Sequence, residues 1–351
     1  MNRRETQKPG DARRHDPRRD DERRRDPRGP QPPAREPRPD TSPRGRARMD
    51  TPEALPPRAL GVRARAKINL HLEVLRRRPD GFHEVETVLQ SVGLHDTLHL
   101  VPRPQGVSLL CDAPEVPSGD ANLCMRAAHA LLAAENLEAP PRGVRLDLYK
   151  SIPVAAGFGG GSADAAAALV GLNRFWNLRL PPERLQEIAA SVGTDVPFCV
   201  RGGTALAHGR GERLLALPQL PRTTFLLVFP ALPISAEWAY SQLNMGLTRR
   251  PHALSIDQLK SIVARYPEAA RGFYNRLEDA VCPAYPQLAE ISSRLLTSGA
   301  SVAMMSGSGS GLFAAFRTRK GAERARRELG RSDWRMPIVE SATTGIEFFE
   351  R

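Results

Sequence analysis

A run of glycines at the start of an alanine-rich segment constrains the fold of this chain more than any other feature. The stretch IPVAAGFGGGSADAAAAL, residues 152–169, carries glycine at four of the five positions from Gly157 to Gly161. Before it, VRLDLYKSI alternates apolar and polar residues, which predicts a strand, and after it SADAAAALVGLNRFW has the composition of a helix. The chain must therefore pass from a strand into a helix through a loop that is almost bare of side chains.

Such a loop is suited to bind an anion. Glycine lets the main chain approach a ligand and adopt positive φ. The first N–H groups of the helix lack internal partners and lie at the positive end of the helix dipole, so the stretch predicts a phosphate site. The alternatives are a flexible linker or a tight contact between helix and sheet, but a linker would not normally open into an alanine-rich helix. The stretch lacks the GxxxxGK[ST] pattern of a Walker A loop. It also departs from GxGxxG, because Ser162 stands at the position of the last glycine.

A second glycine cluster, MSGSGSGLFAAF at residues 305–316, precedes a predicted strand. Alone it is a weak signal and is compatible with a bulged hairpin. Two such loops in one chain suggest a nucleotide that is clamped from two sides.

The first 57 residues differ in composition from the rest of the chain. They hold 16 Lys or Arg and 11 Asp or Glu, with frequent Pro and no apolar run, which predicts a disordered tail over residues 1–57. Its positive charge could bind nucleic acid or acidic membranes, but Arg and Asp alternate closely, which favours a solvated segment. Met49 lies just before the globular part, so we expect the preceding residues to be dispensable.

The remaining chain has the length of two domains and reads as an α+β protein with mixed or antiparallel sheets. We predict a boundary near Pro218, with domains at residues 58–218 and 219–351. Absence of an apolar run of 18 residues argues against a membrane span. The four cysteines form no CxxC or Cys/His cluster, so we expect reduced, buried thiols in a cytoplasmic protein and no metal held by such a cluster.

Phosphoryl transfer also requires a group that orients the nucleophile and positive charge near the transferred phosphate. Asp195 in GTDVPF and Lys67 in ARAKINLHL are candidates. The alternation from Ile68 onward predicts that Lys67, Asn69 and His71 share the face of a strand opposite the core. Taken alone, Asp195 reads as a solvated turn residue, and Lys67 as part of the solvated side of a strand.

Four segments together resemble the GHMP kinases, a superfamily named for galactose, homoserine, mevalonate and phosphomevalonate kinases. They are AKINLHLEVLRRRPDGFHEVETVLQSVGLHDTL, DANLCMRAAHALL, the glycine stretch with GTDVPFCVRGGTALAHGRGE, and MSGSGSGLFAAF, and the resemblance covers roughly residues 60–350. The implied fold is a domain similar to the second domain of ribosomal protein S5, followed by a ferredoxin-like domain. The glycine stretch alone identifies the superfamily, whereas AKINL followed by RPDGFHE is similar to the branch that phosphorylates 4-diphosphocytidyl-2-C-methyl-D-erythritol.

The resemblance implies roles for individual residues. Asp195 corresponds to the base that takes the proton from the 2-hydroxyl of the substrate, and Lys67 to the lysine that pairs with it. Asn122 corresponds to an asparagine near adenine, and Asn69 and His83 to substrate contacts. The residues of the implied ATP phosphate loop are Pro153, Val154, Ala155, Ala156, Gly157, Phe158, Gly159, Gly160, Gly161, Ser162 and Ala163.

The branch also uses two aromatic rings to stack on cytosine. Phe82 stands where it often has Tyr, which keeps the stacking but removes a hydroxyl group. A second ring is expected from ISAEWAY, and Tyr240 is favoured over Trp238. The resemblance further implies ATP and Mg²⁺ as cofactors, and we expect a monomer or weak homodimer without membrane or nucleic-acid partners. Two alternatives stay open: another GHMP kinase acting on homoserine, mevalonate or a sugar, and a nucleic-acid-binding role of the tail.

Overall fold

The computed structural model describes residues 58–230, 232–243 and 254–349. The tail predicted over residues 1–57 lies outside the described residues. The described strands are β1 (Leu60–Arg77), β2 (His83–Arg103), β3 (Val107–Cys111), β4 (Gly143–Tyr149), β5 (Thr204–Gly209), β6 (Arg213–Ala216), β7 (Thr224–Val228), β8 (Val302–Met305), β9 (Leu312–Phe316), β10 (Ile338–Glu340) and β11 (Ile346–Phe349). The described helices are α1 (Leu123–Ala134), α2 (Gly160–Phe175), α3 (Pro182–Val192), α4 (Val196–Arg201), α5 (Ala236–Ser241), α6 (Ile256–Ala264), α7 (Glu278–Ala284), α8 (Pro286–Thr297) and α9 (Arg319–Leu329).

The strands form two sheets, and the predicted α+β class is confirmed. One sheet has the order β11-β1-β2-β4-β3, with β5 beside β2 and β6 beside β5. The other is a four-stranded antiparallel sheet of order β10-β7-β9-β8. The final strand β11 pairs with β1, so the described chain ends in the sheet in which it began. The domain division near residue 218 stays a prediction.

Strand β2 organises the larger sheet. The apolar patterns VETVLQSVGL, residues 85–94, and DTLHLVP, residues 96–102, each predict a short strand, but the structure has a single strand of 21 residues. Its first half pairs with β5 and its second half with β4, while β1 runs along its other edge. The prediction of two strands was wrong because β5 and β4 pair with different halves of one continuous strand, and local patterns do not reveal partners so distant in the chain.

A β-bulge divides β1 into two parts. Asn69 is opposite Leu89 and His71 is opposite Val88, so β1 advances two residues while β2 advances one. A single inserted residue turns every later side chain to the other face of the sheet. The prediction that His71 shares a face with Lys67 and Asn69 was therefore wrong.

The same bulge directs the apolar residues of β1 into two cores. Ile68 and Leu70 belong to the core beneath the larger sheet, whereas Leu72 and Val74 pack with the residues of the smaller sheet. The expectation that all four point one way was wrong. One strand thus connects both cores, and its central polar residues lie where the two meet.

Helix α2 is alanine-rich because it is buried on several sides. Its Ala165–Ala168 segment is fully buried, and a Cβ added at Gly171 would lie 2.9 Å from Leu100 Cδ1 on β2. Small residues let the helix lie directly on the sheet, and this close contact fixes where its N-terminus points. Among the described residues, no helix is long and apolar enough to cross a membrane. Cys124 and Cys199 are buried, Cys111 and Cys282 are half-buried, and all four thiols are free.

Candidate active site

Lys67 and Asp195 form an ion pair. Lys67 Nζ lies 3.2 Å from Asp195 Oδ2, with side-chain exposures of 6% and 31% respectively. Lys67 Nζ also donates a 2.8 Å hydrogen bond to Asn69 Oδ1. A buried ammonium requires such partners. The pair therefore presents a fixed cation and a carboxylate that a ligand can reach, and Lys67 does not lie on a solvated face.

Asp195 is held by the junction of two helices. Only Gly193, Thr194 and Asp195 separate α3 from α4. The flanking Val192 and Val196 are both buried, which anchors the turn on either side. The short connection therefore fixes the position of the carboxylate relative to β1, and Asp195 is more constrained than a solvated turn residue.

Gly159 couples the glycine loop to Lys67. Gly159 has φ of +68° at the start of α2, and a Cβ there would lie 2.9 Å from Lys67 Cγ. The backbone N–H of Lys67 donates to Phe158 O at 3.0 Å. The loop therefore covers the aliphatic part of the lysine side chain and leaves its ammonium for Asp195 and Asn69.

The glycine loop lines a cavity of about 360 Å³, which we call the glycine cleft. The first N–H groups of α2 open toward it, as expected for an anion site. The residues that line it are Val116, Pro117, Ala121, Asn122, Leu123, Lys150, Pro153, Val154, Ala155, Ala156, Gly157, Gly159, Gly160, Gly161, Ser162 and Asp164.

Two residues of the predicted phosphate loop do not line this cleft. Phe158 is 1% exposed and its ring lies 4.8 Å from that of Phe229, while Ala163 is fully buried in the core. Their function is to anchor the loop. Asn122 does line the cleft, but its side chain also caps α1, accepting from Cys124 N–H and donating to Pro117 O.

The second glycine loop, residues 305–311, lies behind the first loop. Gly311 N–H donates to Ala156 O at 3.1 Å, and Ser306 Oγ donates to Gly157 O at 2.9 Å. A Cβ at Gly307 would lie 3.6 Å from Lys67 Nζ. None of the described residues that line the glycine cleft comes from this second loop. It therefore supports the first loop and the lysine, and a clamp on the nucleotide from two sides stays a prediction.

Asn275 fixes the second loop, and sequence reasoning missed it. Its Nδ2 donates to Met305 O at 2.9 Å and to Gly307 O at 2.7 Å, and it is 2% exposed. Thr87 was also missed: its hydroxyl accepts from Asn69 Nδ2 and donates to His71 O. Asn275 lies in none of the quoted segments, and Thr87 lies in one in which nothing marks it out, so only the fold shows that both support the site.

A buried charged triad lies on the floor of the glycine cleft. Lys150 Nζ donates to Asp164 Oδ2 at 2.6 Å and also bonds Asp96 Oδ2. Burial lowers the pKa of Lys150, but attraction to Asp164 and Asp96 outweighs burial and raises it overall. Asp164 Oδ1 is buried without a hydrogen-bond partner. A lysine in the otherwise apolar end of a predicted strand was the signal that could have found this triad.

A second cavity, of about 650 Å³, lies beyond Asp195 and is called here the aromatic pocket. The His83 and Tyr240 rings are stacked in it, with centroids 5.0 Å apart and planes at 28°. The residues that line it are Arg77, Gly81, Phe82, His83, Val85, Thr194, Arg210, Ala236, Glu237, Tyr240, Ser241 and Leu243.

The structure places Tyr240, and not Trp238, in this pocket. Trp238 instead packs edge-on against Tyr285, with centroids 5.4 Å apart. Burial raises the pKa of Tyr240, and the nearby Asp195 adds to this effect, so its hydroxyl is neutral. Burial, with the charge of Arg77, lowers the pKa of His83. At neutral pH the imidazole is therefore neutral, with one donor and one acceptor nitrogen.

The arrangement combines features needed for phosphoryl transfer. A loop and helix terminus suited to phosphate lie on one side of Lys67, and a pocket suited to a planar ring lies beyond Asp195. Among the described residues, no cluster of three or more His, Cys, Asp or Glu could hold a metal ion.

Family comparisons agree with this arrangement. The description "GHMP kinases N terminal domain" matches residues 122–203, and "GHMP kinases C terminal" matches residues 259–335. The chain is 44% identical over 295 residues to a 4-diphosphocytidyl-2-C-methyl-D-erythritol kinase of Synechococcus sp. (strain JA-2-3B'a(2-13)), covering 81% of this chain and 94% of that protein. A protein of the same name from Geobacter sulfurreducens is 40% identical over 276 residues, covering 78% and 96%.

Solved structures show the same fold. A crystal structure of 4-(cytidine 5'-diphospho)-2C-methyl-D-erythritol kinase matches with a TM-score of 0.67 and 32% identity, covering 80% of this chain and 99% of that one. Homoserine kinase from Cytophaga hutchinsonii matches with a TM-score of 0.65 but only 17% identity, which shows the fold alone, over 83% and 97% of the two chains. The predicted GHMP kinase fold is confirmed.

Proposed function

Because this chain belongs to the GHMP kinase family, and within it to the 4-diphosphocytidyl-2-C-methyl-D-erythritol kinases, we propose that it transfers the γ-phosphate of ATP to the 2-hydroxyl of that cytidyl compound. The reaction belongs to the non-mevalonate route to isoprenoid precursors. ATP is the co-substrate of the GHMP kinases, and the glycine cleft is the region suited to its phosphates.

The position of the Lys67–Asp195 pair carries this proposal. Lys67 contacts Gly159, which lines the glycine cleft, and Thr194 beside Asp195 lines the aromatic pocket. The pair thus lies where a phosphate donor in one cavity and an acceptor in the other would meet. Binding both reactants in line is most of what a phosphoryl-transfer enzyme must do.

In the proposed mechanism, Asp195 accepts the proton of the substrate 2-hydroxyl as the oxygen bonds to the γ-phosphorus of ATP. The bond from that phosphorus to the β–γ bridging oxygen breaks, and ADP leaves. Lys67 stabilises the negative charge that develops on the transferred group and keeps Asp195 in position through their ion pair. Asn69 holds the lysine ammonium from its other side. The short turn before α4 supports this role because it leaves the carboxylate little freedom to move.

The main chain of residues 153–163 and the N-terminus of α2 would bind the triphosphate. The cleft fits Mg²⁺ in part: Ser162 and Asp164 both line it, and the buried Asp164 Oδ1 has no hydrogen-bond partner. Mg²⁺ is usually bound by one or two carboxylates together with phosphate oxygens and water. These two side chains would hold the ion, which would neutralise phosphate charge. Lys150 keeps Asp164 in place and Asn122 borders the nucleotide.

The aromatic pocket would hold the cytosine. Phe82 and Tyr240 offer rings for stacking, and the neutral His83 can donate to and accept from the edge of the base. A pyrimidine gains about 1–3 kcal/mol from each stacked ring. Homoserine and mevalonate have no aromatic group, so this pocket favours the cytidyl acceptor over them.

A substrate panel tests the proposal. The purified chain is incubated with ATP and Mg²⁺ and with the cytidyl compound, homoserine, mevalonate or galactose, and ADP release is measured. We expect ADP release with the cytidyl compound alone and little with the Asp195→Asn variant. Phosphorylation of homoserine or mevalonate, without activity on the cytidyl compound, would contradict the proposal. A version that begins at Met49 shows in the same assay whether the tail is dispensable.

Three further properties remain predictions. We propose a cytoplasmic location and a monomer or weak homodimer. Nucleic-acid binding by the tail, which lies outside the described residues, stays an alternative. That alternative predicts salt-sensitive retention on DNA or RNA that is lost on deletion of residues 1–48.

A further inference from the structure

Arg210 lies in the turn between β5 and β6 and lines the aromatic pocket. Its guanidinium carbon is 5.1 Å from the centroid of the Phe82 ring. The Arg210 side chain is 33% exposed, and its one ion pair with a described residue is a long one, 4.0 Å, with Glu212. An ion pair of this length at a partly exposed site contributes little to stability. The guanidinium is therefore free to contribute to binding in the pocket.

Arg210 lies near both the Phe82 ring and the Asp195 carboxylate. Its guanidinium contacts the Phe82 ring. Gly211, the next residue in the chain, lies close to the catalytic pair, because a Cβ there would be 3.7 Å from Asp195 Oδ1. Arg210 therefore stands between the rings that stack on a base and the carboxylate that faces the reacting hydroxyl.

The proposed substrate has its groups in the same order. The cytosine is at one end, the reacting hydroxyl is on the methylerythritol at the other end, and a diphosphate joins the two. If the base lies at Phe82 and Tyr240 while the hydroxyl lies at Asp195, the diphosphate falls beside Arg210. Arg77 lines the same pocket and adds a second positive charge. A guanidinium binds phosphate oxygens through two parallel hydrogen bonds, which gives both affinity and orientation.

We propose that Arg210 binds the diphosphate of the acceptor substrate, assisted by Arg77, and so makes the pocket specific for nucleoside diphosphate derivatives. The inference rests on the proposed function, because it takes the order of groups from that substrate. Arg210 acts here as a specificity residue and does not take part in the chemical step.

Ligand binding without catalysis tests this inference. Affinities for cytidine and for CDP are measured by calorimetry for the unaltered protein, Arg210→Gln and Arg210→Lys. We expect the unaltered protein to bind CDP more tightly than cytidine. Arg210→Gln should bind CDP about 10- to 100-fold more weakly, which corresponds to the free energy of a charge-assisted hydrogen bond to a phosphate. Its affinity for cytidine should not change. Arg210→Lys should lie between the two, because it keeps the charge but not the planar fork.

Arg213→Gln is the matched control, since Arg213 is exposed on the neighbouring strand β6 and does not line the pocket. It should bind both ligands normally. Turnover adds a second readout: Arg210→Gln should raise KM for the cytidyl substrate about tenfold, by the loss of one such contact, with kcat within about twofold.

Two results would overturn the inference. Equal losses of cytidine and CDP affinity in Arg210→Gln would mean that Arg210 acts only by supporting the Phe82 ring. Unchanged CDP affinity would mean that it does not bind phosphate. If the unaltered protein bound neither cytidine nor CDP, the proposed function would fail together with the inference, whereas normal cytidine binding with no advantage for CDP would overturn the inference alone.

Discussion

The glycine cleft is built mainly from main chain, whereas the aromatic pocket is built from side chains. Most of the residues that line the cleft come from a loop that is rich in Gly and Ala, so the main chain supplies much of its surface. In the pocket, Phe82, His83, Tyr240 and Arg210 provide rings and charges. Main-chain donors can bind the phosphates that all GHMP kinases share, while side chains distinguish one acceptor from another. The difference explains why the glycine motif identifies the superfamily and the segments around the pocket identify the branch.

The Lys67–Asp195 pair belongs to both regions, and its loss should have the largest effect. Asp195→Asn removes the proposed base and should lower kcat by about 10²–10⁴, the range for a positioned general base. Steady-state kinetics with the cytidyl substrate measures it. Binding of ATP and of cytidine should persist, since each cavity stays intact, and near-normal turnover would refute the assignment of Asp195.

Gly157→Ala tests whether the cleft depends on its main chain. Gly157 has φ of +84°, and a Cβ there would lie 2.1 Å from Ser306 O, in the second glycine loop. The two loops would have to separate. We therefore expect KM for ATP to rise at least about tenfold, since strain and a lost contact together amount to more than about 1.4 kcal/mol.

Gly106→Ala is the matched control for this prediction. Gly106 also has positive φ, +73°, but nothing lies within 4 Å of its added Cβ. It carries the same backbone strain without the clash and should leave KM for ATP unchanged. If both variants behaved alike, the contact between the loops would not matter for nucleotide binding.

Tyr240→Ala tests the side-chain character of the aromatic pocket. Loss of a stacking ring should weaken cytidine binding and raise KM for the cytidyl substrate about tenfold, with ATP binding unchanged. Trp238→Ala, two residues away, is the control, because Trp238 packs on Tyr285 and not in the pocket. A larger effect from Trp238→Ala than from Tyr240→Ala would exchange the roles of these residues.

Glu278→Gln addresses the support behind the cleft and should have the smallest effect, on stability and not on turnover. Glu278 Oε1 accepts from Met305 N–H at 2.6 Å, at the start of the second glycine loop, and burial raises its pKa to about 7. The folded chain then holds a proton that the unfolded chain releases near pH 4.5. The contribution of this proton to the free energy of unfolding is complete below that pH and is lost as the pH rises through 7.

The free energy of unfolding should therefore fall by about 2 kcal/mol more between pH 5.5 and 8 in the unaltered protein than in Glu278→Gln, at about 1.4 kcal/mol per pKa unit. Denaturant unfolding at the two pH values measures this difference. Glu290→Gln, at an exposed position on α8, should show the same fall in the free energy of unfolding between the two pH values as the unaltered protein. An equal fall in the free energy of unfolding in Glu278→Gln and in the unaltered protein would contradict this account.

Local sequence patterns predicted much of the fold. The strand and helix around the glycine loop follow from periodicity and composition. The segment PPERLQEIAASVG, residues 181–193, begins with Pro and ends with Gly, which predicts α3. Local patterns gave wrong predictions where pairing with a segment distant in the chain determines the structure. Strand β2 is continuous because β5 and β4 pair with its two halves, and no local signal announces such partners.

The candidate site was predicted to a similar extent. Lys67, Asp195, His83 and Tyr240 were all named from motifs, and the structure brings them together in pairs. Asn275, Thr87 and Lys150 were missed because each acts through a partner far away in the chain. Arg210 lies within a quoted segment, but nothing in the sequence shows that it faces the pocket.

The phosphate-binding loop could be predicted from the sequence, because glycine content and a following helix are local properties with a local physical consequence. The branch of the family could be predicted as well, through AKINL and PDGFHE. Which residues meet depends instead on the tertiary structure. The bulge in β1 turns Lys67 and Asn69 toward the site and His71 away from it, since one extra residue reverses the alternation of a strand. Contacts between distant segments then bury the lysine, and burial makes its pairing with Asp195 necessary.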